Sequence, residues 1–128
     1  MVKIISISVD NETLKGLDLA GRRIGIKSRS RLLRNALSDA LNDYASIQSV
    51  KGHVECVFAL SYKSSKRASV FDILHEYSSI IETELHRHGS SSCMVIISIK
   101  SDAKRMRSLF FRLKREPAVK SIKYMLIE

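Results

Sequence analysis

A chain of 128 residues suits one modest domain or two very small ones, and its 45% apolar content excludes a disordered polypeptide. No apolar run approaches the ~20 residues of a membrane span and no secretory signal opens the chain, so no membrane association is expected and a cytoplasmic location is. The net charge of +9, with a pI near 9.8, favours a polyanionic partner.

The chain opens with an alternating segment, Lys3–Val9. Ile5, Ile7 and Val9 fall on one face and Ile4, Ser6 and Ser8 on the other, which predicts a short β-strand. Asp10 is placed to cap a helix from Asn11 to about Arg23, and Gly25 to end it. Ser28 then caps a second helix with an apolar stripe of Leu33, Ala36, Leu37, Ala40, Leu41 and Tyr44. Between them lie Arg22, Arg23, Lys27, Arg29, Arg31 and Arg34, in a stretch without a single acid. One strand and two helices cannot bury so much apolar surface, and a lone strand has two unpaired edges. Pairing of the strands of two chains is the simplest remedy, and a two-stranded ribbon fits the major groove of B-DNA.

Residues 46–52 (Ser-Ile-Gln-Ser-Val-Lys-Gly) read as a linker between this module, residues 1–45, and a second one, residues 53–128. The second module predicts strands over about 53–62, 83–88, 93–100 and 119–127, with helices over about 66–81 and 102–115. Strand, helix, strand, strand, helix, strand suggests an α+β, ferredoxin-like sheet with both helices on one face. Both faces of the strand 93–100 are apolar. The face without helices, expected to carry His86, His88 and Cys93 together with Val95, Ile97 and Ile99, would need covering, most simply by a second copy. Cys56, in an apolar strand pattern, reads as a small core residue, and His53 as a surface residue. A second basic run, Lys104–Arg115, decorates the last helix and is read as a solvated face.

The chemistry concentrates in His86-Arg87-His88, then Gly-Ser-Ser-Ser, then Cys93. Residues i and i+2 of a strand share a face, which sets His86 and His88 about 7 Å apart. A four-residue turn at Gly89–Ser92 places Cys93 across from His88, with Cβ atoms roughly 5 Å apart. His75 is the candidate for a fourth ligand. It lies on a helix whose stripe is Val70, Ile73, Leu74, Tyr77 and Ile81, about 140° from the stripe's centre, and so points away from the core towards a neighbouring subunit. Mixed imidazole and thiolate donors suit nickel, copper, zinc or cobalt and disfavour calcium and magnesium.

With these residues in view, the chain resembles the NikR family of nickel-responsive transcriptional regulators over essentially its whole length. The resemblance implies an N-terminal ribbon-helix-helix (β-α-α) DNA-binding domain followed by an ACT-like (βαββαβ) metal-binding and tetramerisation domain. It implies that His86, His88 and Cys93 of one subunit and His75 of another hold nickel in a planar arrangement. In the DNA-binding half, Ser6 and Ser8 match the family's groove-facing ribbon residues. Ile4 stands where a basic residue is expected, with Lys3 beside it. Ser28, flanked by Lys27 and Arg29, offers a phosphate seat at a helix start, and Arg34 matches a basic position of the family. Arg31 and Asn35 replace acids that support a second cation site in some members, so that site is not expected. The turn between His88 and Cys93 is one residue shorter than the family's, and Leu74 and Val95 occupy positions often polar there.

The expected function is metal-responsive, nickel foremost, binding of double-stranded operator DNA by a homotetramer, a dimer of dimers, acting as a repressor and not as an enzyme. The alternatives are a regulator of the same fold sensing copper, zinc or cobalt, and a metal-independent DNA-binding regulator. A metalloenzyme is disfavoured because four protein ligands leave no open position in a planar site, and no Glu or Asp within the His-x-His-x₄-Cys run can serve as a base. Binding of a small molecule at an ACT-type interface rests on analogy of fold alone.

Overall fold

The computed structural model describes residues 1–127. The chain divides into two compact units, Met1–Ser46 and Ile47–Glu128.

In the first unit, α1 spans Asn11–Ile24 and α2 begins at Arg29. Asp10 caps α1 by accepting a hydrogen bond from the Thr13 N–H at 2.7 Å. Gly25 ends the helix in the left-handed region (φ 88°), a conformation glycine adopts without steric cost. The Gly25 and Ile26 N–H groups both return to the Gly21 carbonyl, at 2.9 and 2.8 Å. The chain folds back so tightly that a Cβ on Gly21 would lie 2.6 Å from the Ile26 carbonyl oxygen. Ser28 caps α2 through the Arg31 N–H at 3.2 Å.

The strand predicted over Lys3–Val9 does not form: residues 1–10 carry no secondary structure and all are exposed. A strand is completed by the N–H and C=O groups of a neighbour, and no other segment of this unit is extended. The apolar side chains of this arm and of α2 stay exposed together: Ile5, Ile7 and Val9 with Leu33, Leu37, Leu41 and Tyr44.

The expected linker is also different. Helix α2 runs on to Ser49, so only the end of 46–52 is irregular. Nothing between Tyr44 and Ser49 breaks a helix. Ile47, three residues after Tyr44, continues the apolar spacing and is fully buried in the core of the second unit.

That second unit is a four-stranded antiparallel sheet in the order β2-β3-β1-β4, formed by β1 (His53–Lys63), β2 (Ile81–Arg87), β3 (Ser92–Asp102) and β4 (Val119–Leu126). A 3-10 turn at Ser64–Lys66 leads into α3 (Arg67–Glu76), and α4 spans Ala103–Lys114. Asp102 ends β3 and caps α4 through the Arg105 N–H at 3.1 Å. Helix α3 is shorter than its periodicity predicts, because the chain turns at residues 77–80 to start β2.

Alternate residues of the two central strands, among them Cys56, Phe58, Leu60 and Tyr62 of β1 with Cys93, Val95, Ile97 and Ile99 of β3, pack beneath Val70, Ile73 and Leu74 of α3 and Met106, Leu109, Phe110 and Leu113 of α4. Phe58 meets Phe110 edge-to-face at 5.4 Å. Cys93, Val95, Ile97 and Ile99 therefore lie on the helix-covered face, the reverse of the expected placement. The two faces of β3 are both apolar, so period two alone could not say which one the helices cover. The open face carries the half-buried Val57, Ala59, Met94 and Ile96 and the exposed Leu85 and Met125. Among the described residues, no helix is long and apolar enough to cross a membrane.

Candidate metal centre

The β2–β3 hairpin brings three of the four expected ligands together. His86 pairs with Val95 and Arg87 with Met94, and one more step of that register sets Cys93 opposite His88. The turn is tight enough that a Cβ on Gly89 would run into the Ser92 carbonyl oxygen, so glycine is required there. His88 Nδ1 lies 3.8 Å from Cys93 Sγ. The His86 and His88 rings stack, with centroids 6.3 Å apart and planes 13° from parallel. Phe71 of α3 meets the His86 ring edge-on at 5.3 Å.

Neighbouring groups brace this patch. The Ser64 N–H and hydroxyl donate to the carbonyls of Ser91 (3.2 Å) and Ser90 (3.0 Å), tying the hairpin turn to the 3-10 turn that precedes α3. Lys120 Nζ donates to Ser92 Oγ. Glu84 Oε2 stands 3.3 Å from His86 Nε2. Tyr62 pairs with Cys93 across β1 and β3, and its hydroxyl is buried with no hydrogen-bond partner. Burial pushes the Tyr62 phenol pKa up, and the nearby Cys93 adds to the rise. Tyr62, Ser64 and Glu84 escaped the sequence reading. Glu84 was legible as the next residue on the His86–His88 strand face, whereas Tyr62 and Ser64 reach the site only through strand pairing.

His75, on the exposed side of α3 as expected, lines a groove of about 530 Å³ together with Phe71, Leu74, Glu82, Glu84 and His86. His75 and His86 of the same chain thus border one groove. Yet no group of three or more His, Cys, Asp or Glu among the described residues is placed to hold a metal. The donor set nonetheless fits a late transition metal. His86 Nδ1 is buried without a partner, and a second imidazole nitrogen faces a thiol.

Of the candidate DNA-binding residues, Lys27, Ser28 and Arg29 line a second groove of about 300 Å³ at the start of α2. Arg29 grips Asp18 through two hydrogen bonds of 2.9 Å. Lys3, Ser6, Ser8 and Arg34 are exposed and are not drawn into that groove.

Strand order and donor set together define a class: an ACT-like domain bearing a His–Cys donor patch at one end of its sheet. The chain belongs to the family of the NikR C-terminal nickel binding domain, which matches residues 52–127. A protein of Methanocaldococcus jannaschii named "Putative nickel-responsive regulator" is 32% identical over 123 residues, 93% of this chain and 87% of that one. A protein of Methanococcus aeolicus with the same name is also 32% identical, over 124 residues and the same shares of each chain. These relatives bear the name of a regulator, not of an enzyme. An uncharacterized protein from Thermotoga maritima shares the fold, with a TM-score of 0.55 over 59% of this chain and 99% of that one, at 15% identity.

Proposed function

We propose that this chain is a nickel-responsive regulator that binds double-stranded operator DNA as a homotetramer and acts as a repressor. The observation that carries the reading is the convergence of His86, His88 and Cys93 at one hairpin in a family of nickel-binding domains. These three side chains and His75 of a second subunit are the proposed nickel ligands, and bound nickel would supply a fixed point joining two subunits. Exposed His75 can reach a neighbour, and the half-buried apolar face of the sheet favours assembly with another copy.

The exposed arm and α2 stripe support the DNA-binding half of the reading. Antiparallel pairing of two arms through residues 3–9 would satisfy their backbone groups and cover Ile5, Ile7 and Val9 with the α2 stripes of both chains. Ser6 and Ser8, on the opposite side, would face the groove of DNA, with Lys3 beside them. Lys27, Ser28 and the first turn of α2 would seat phosphate, with Arg34 one turn further on. Because Arg29 holds Asp18, its foremost contribution is to the α1–α2 corner. Regulation requires that DNA affinity change with nickel, and the coupling free energy must be equal in the reverse direction.

Anaerobic titration with Ni(II), alongside Cys93→Ser, tests the site. The expected result is a thiolate-to-metal absorption band that saturates at one equivalent per chain and is lost in the variant. Operator binding with and without nickel then tests regulation, and equal affinities would refute it. A band that forms with copper, zinc or cobalt in preference to nickel would reassign the metal.

A further inference from the structure

We infer, building on the nickel reading above, that Glu84 is a positioning residue that selects which nitrogen His86 offers to the metal. Glu84 and His86 of β2, and His88 just past its end, alternate along the chain, which keeps Glu84 and His86 on the helix-covered side of the sheet. β2 is an edge strand, so Glu84 and His86 border the groove instead of lying under the core. The Glu84 carboxylate meets His86 at Nε2, 3.3 Å away. A neutral imidazole has one N–H and one bare lone pair, and a carboxylate only accepts. In the neutral ring this contact favours the tautomer with the proton on Nε2 and the lone pair on Nδ1.

That Nδ1 is the atom buried without a partner. A buried acceptor with nothing to accept from is costly unless an electrophile uses it. The Phe71 edge at 5.3 Å and the stacked His88 ring at 6.3 Å pack against the ring and brace its orientation. Val95, opposite His86, and Leu74, on the same groove, are apolar and offer no side-chain acceptor. Among the described residues, the carboxylate within reach of His86 comes from its own strand. His88 also turns Nδ1 towards Cys93 Sγ, so both imidazoles would offer the same type of nitrogen. A carboxylate behind a coordinating imidazole fixes its tautomer and strengthens it as a donor, and losing such a partner typically weakens metal binding about 10- to 100-fold.

The test uses the full chain labelled with ¹⁵N-histidine, as wild type, Glu84→Gln and Glu84→Ala, with His86→Gln to identify the resonance. Long-range ¹H–¹⁵N correlation on metal-free protein should show His86 with its proton on Nε2 in the wild type. Glu84→Ala should move the ring towards a mixture of tautomers, and Glu84→Gln less so, since its carboxamide oxygen still accepts. Chelator competition should show nickel affinity about 10- to 100-fold weaker in Glu84→Ala and a smaller loss in Glu84→Gln. The thermal midpoint of metal-free protein should hardly move, because the Glu84–His86 contact is partly exposed. A proton on Nδ1 in the wild type, or nickel affinity equal in wild type and Glu84→Ala, overturns the assignment while leaving the nickel reading standing. A wild type that shows the expected tautomer but takes up no nickel overturns the nickel reading, and with it any role of Glu84 towards the metal.

Discussion

Replacing Ile47 by alanine tests whether α2 continues into the core of the second unit. The side chain is fully buried. Shortening a buried isoleucine to alanine costs about 2–5 kcal/mol in lost transfer energy and residual cavity. Alanine's better helix propensity offsets roughly 0.5 kcal/mol of that. The net loss is about 2–4 kcal/mol, whereas a substitution in a solvated linker would stay within about 0.5 kcal/mol. With a urea slope of about 2 kcal/mol/M, the midpoint should fall by roughly 1–2 M. The assay is urea unfolding of the full chain by circular dichroism, at one protein concentration because assembly couples to stability. Gln48→Ala, one residue on and exposed, is the control and should leave the midpoint in place. An Ile47→Ala midpoint within about 0.3 M of that control, at equal slope, would refute the packing of Ile47 and restore residues 46–52 as a linker.

Gly21→Ala should destabilise the first unit by about 1–3 kcal/mol, because its Cβ meets backbone and not a yielding side chain; limited proteolysis that cuts the variant no faster within residues 1–46 would contradict this. Burial pushes the Cys56 thiol pKa up to about 11 from 9.0, so at pH 8 its thiolate fraction is about 100-fold smaller than for an unperturbed thiol. Alkylation by iodoacetamide, mapped by mass spectrometry, should be slower in the native protein by at least that factor, and native and denatured rates within tenfold of each other would refute it. Acid should loosen α1. The Thr13 hydrogen bonds hold Asp10 below its ordinary pKa, and the Arg29 hydrogen bond does the same for Asp18. A depressed folded pKa contributes stability above the unfolded value of about 3.9 and loses it as pH falls through the folded one. Helical circular dichroism of the wild type should therefore decline below about pH 4, and Asp10→Asn with Asp18→Asn should flatten that decline.

The arrangement of elements was legible because it is written in local periodicity and punctuation. Asp10, Gly25 and Ser28 sit where helices start or stop, and the alternation in 53–62 and 93–100 needs no tertiary knowledge. The meeting of His88 and Cys93 was equally local, since a four-residue turn sets which residues of a hairpin face each other. Expectations failed where the sequence was ambiguous. The Lys3–Val9 pattern states which face is apolar but supplies no hydrogen-bonding neighbour. Residues 46–49 (Ser-Ile-Gln-Ser) carry a single apolar side chain, too little to separate a linker from a last helical turn, and burial of Ile47 decided it.

Tertiary packing alone decided the side of the sheet on which the donors lie. β3 is apolar on both faces, so Cys93 could have faced the helices or the open side, and the packing of Cys93, Val95, Ile97 and Ile99 into one core with residues of α3 and α4 chose the first. That choice places Tyr62 beside Cys93 and leaves His86 Nδ1 buried. Residue types and spacings, by themselves, determined that this chain carries a hairpin of imidazoles and a thiol behind a basic helical module. Which atoms of those side chains are free, braced or buried depends on contacts between residues far apart in sequence, and only the folded sheet and its two helices bring those together.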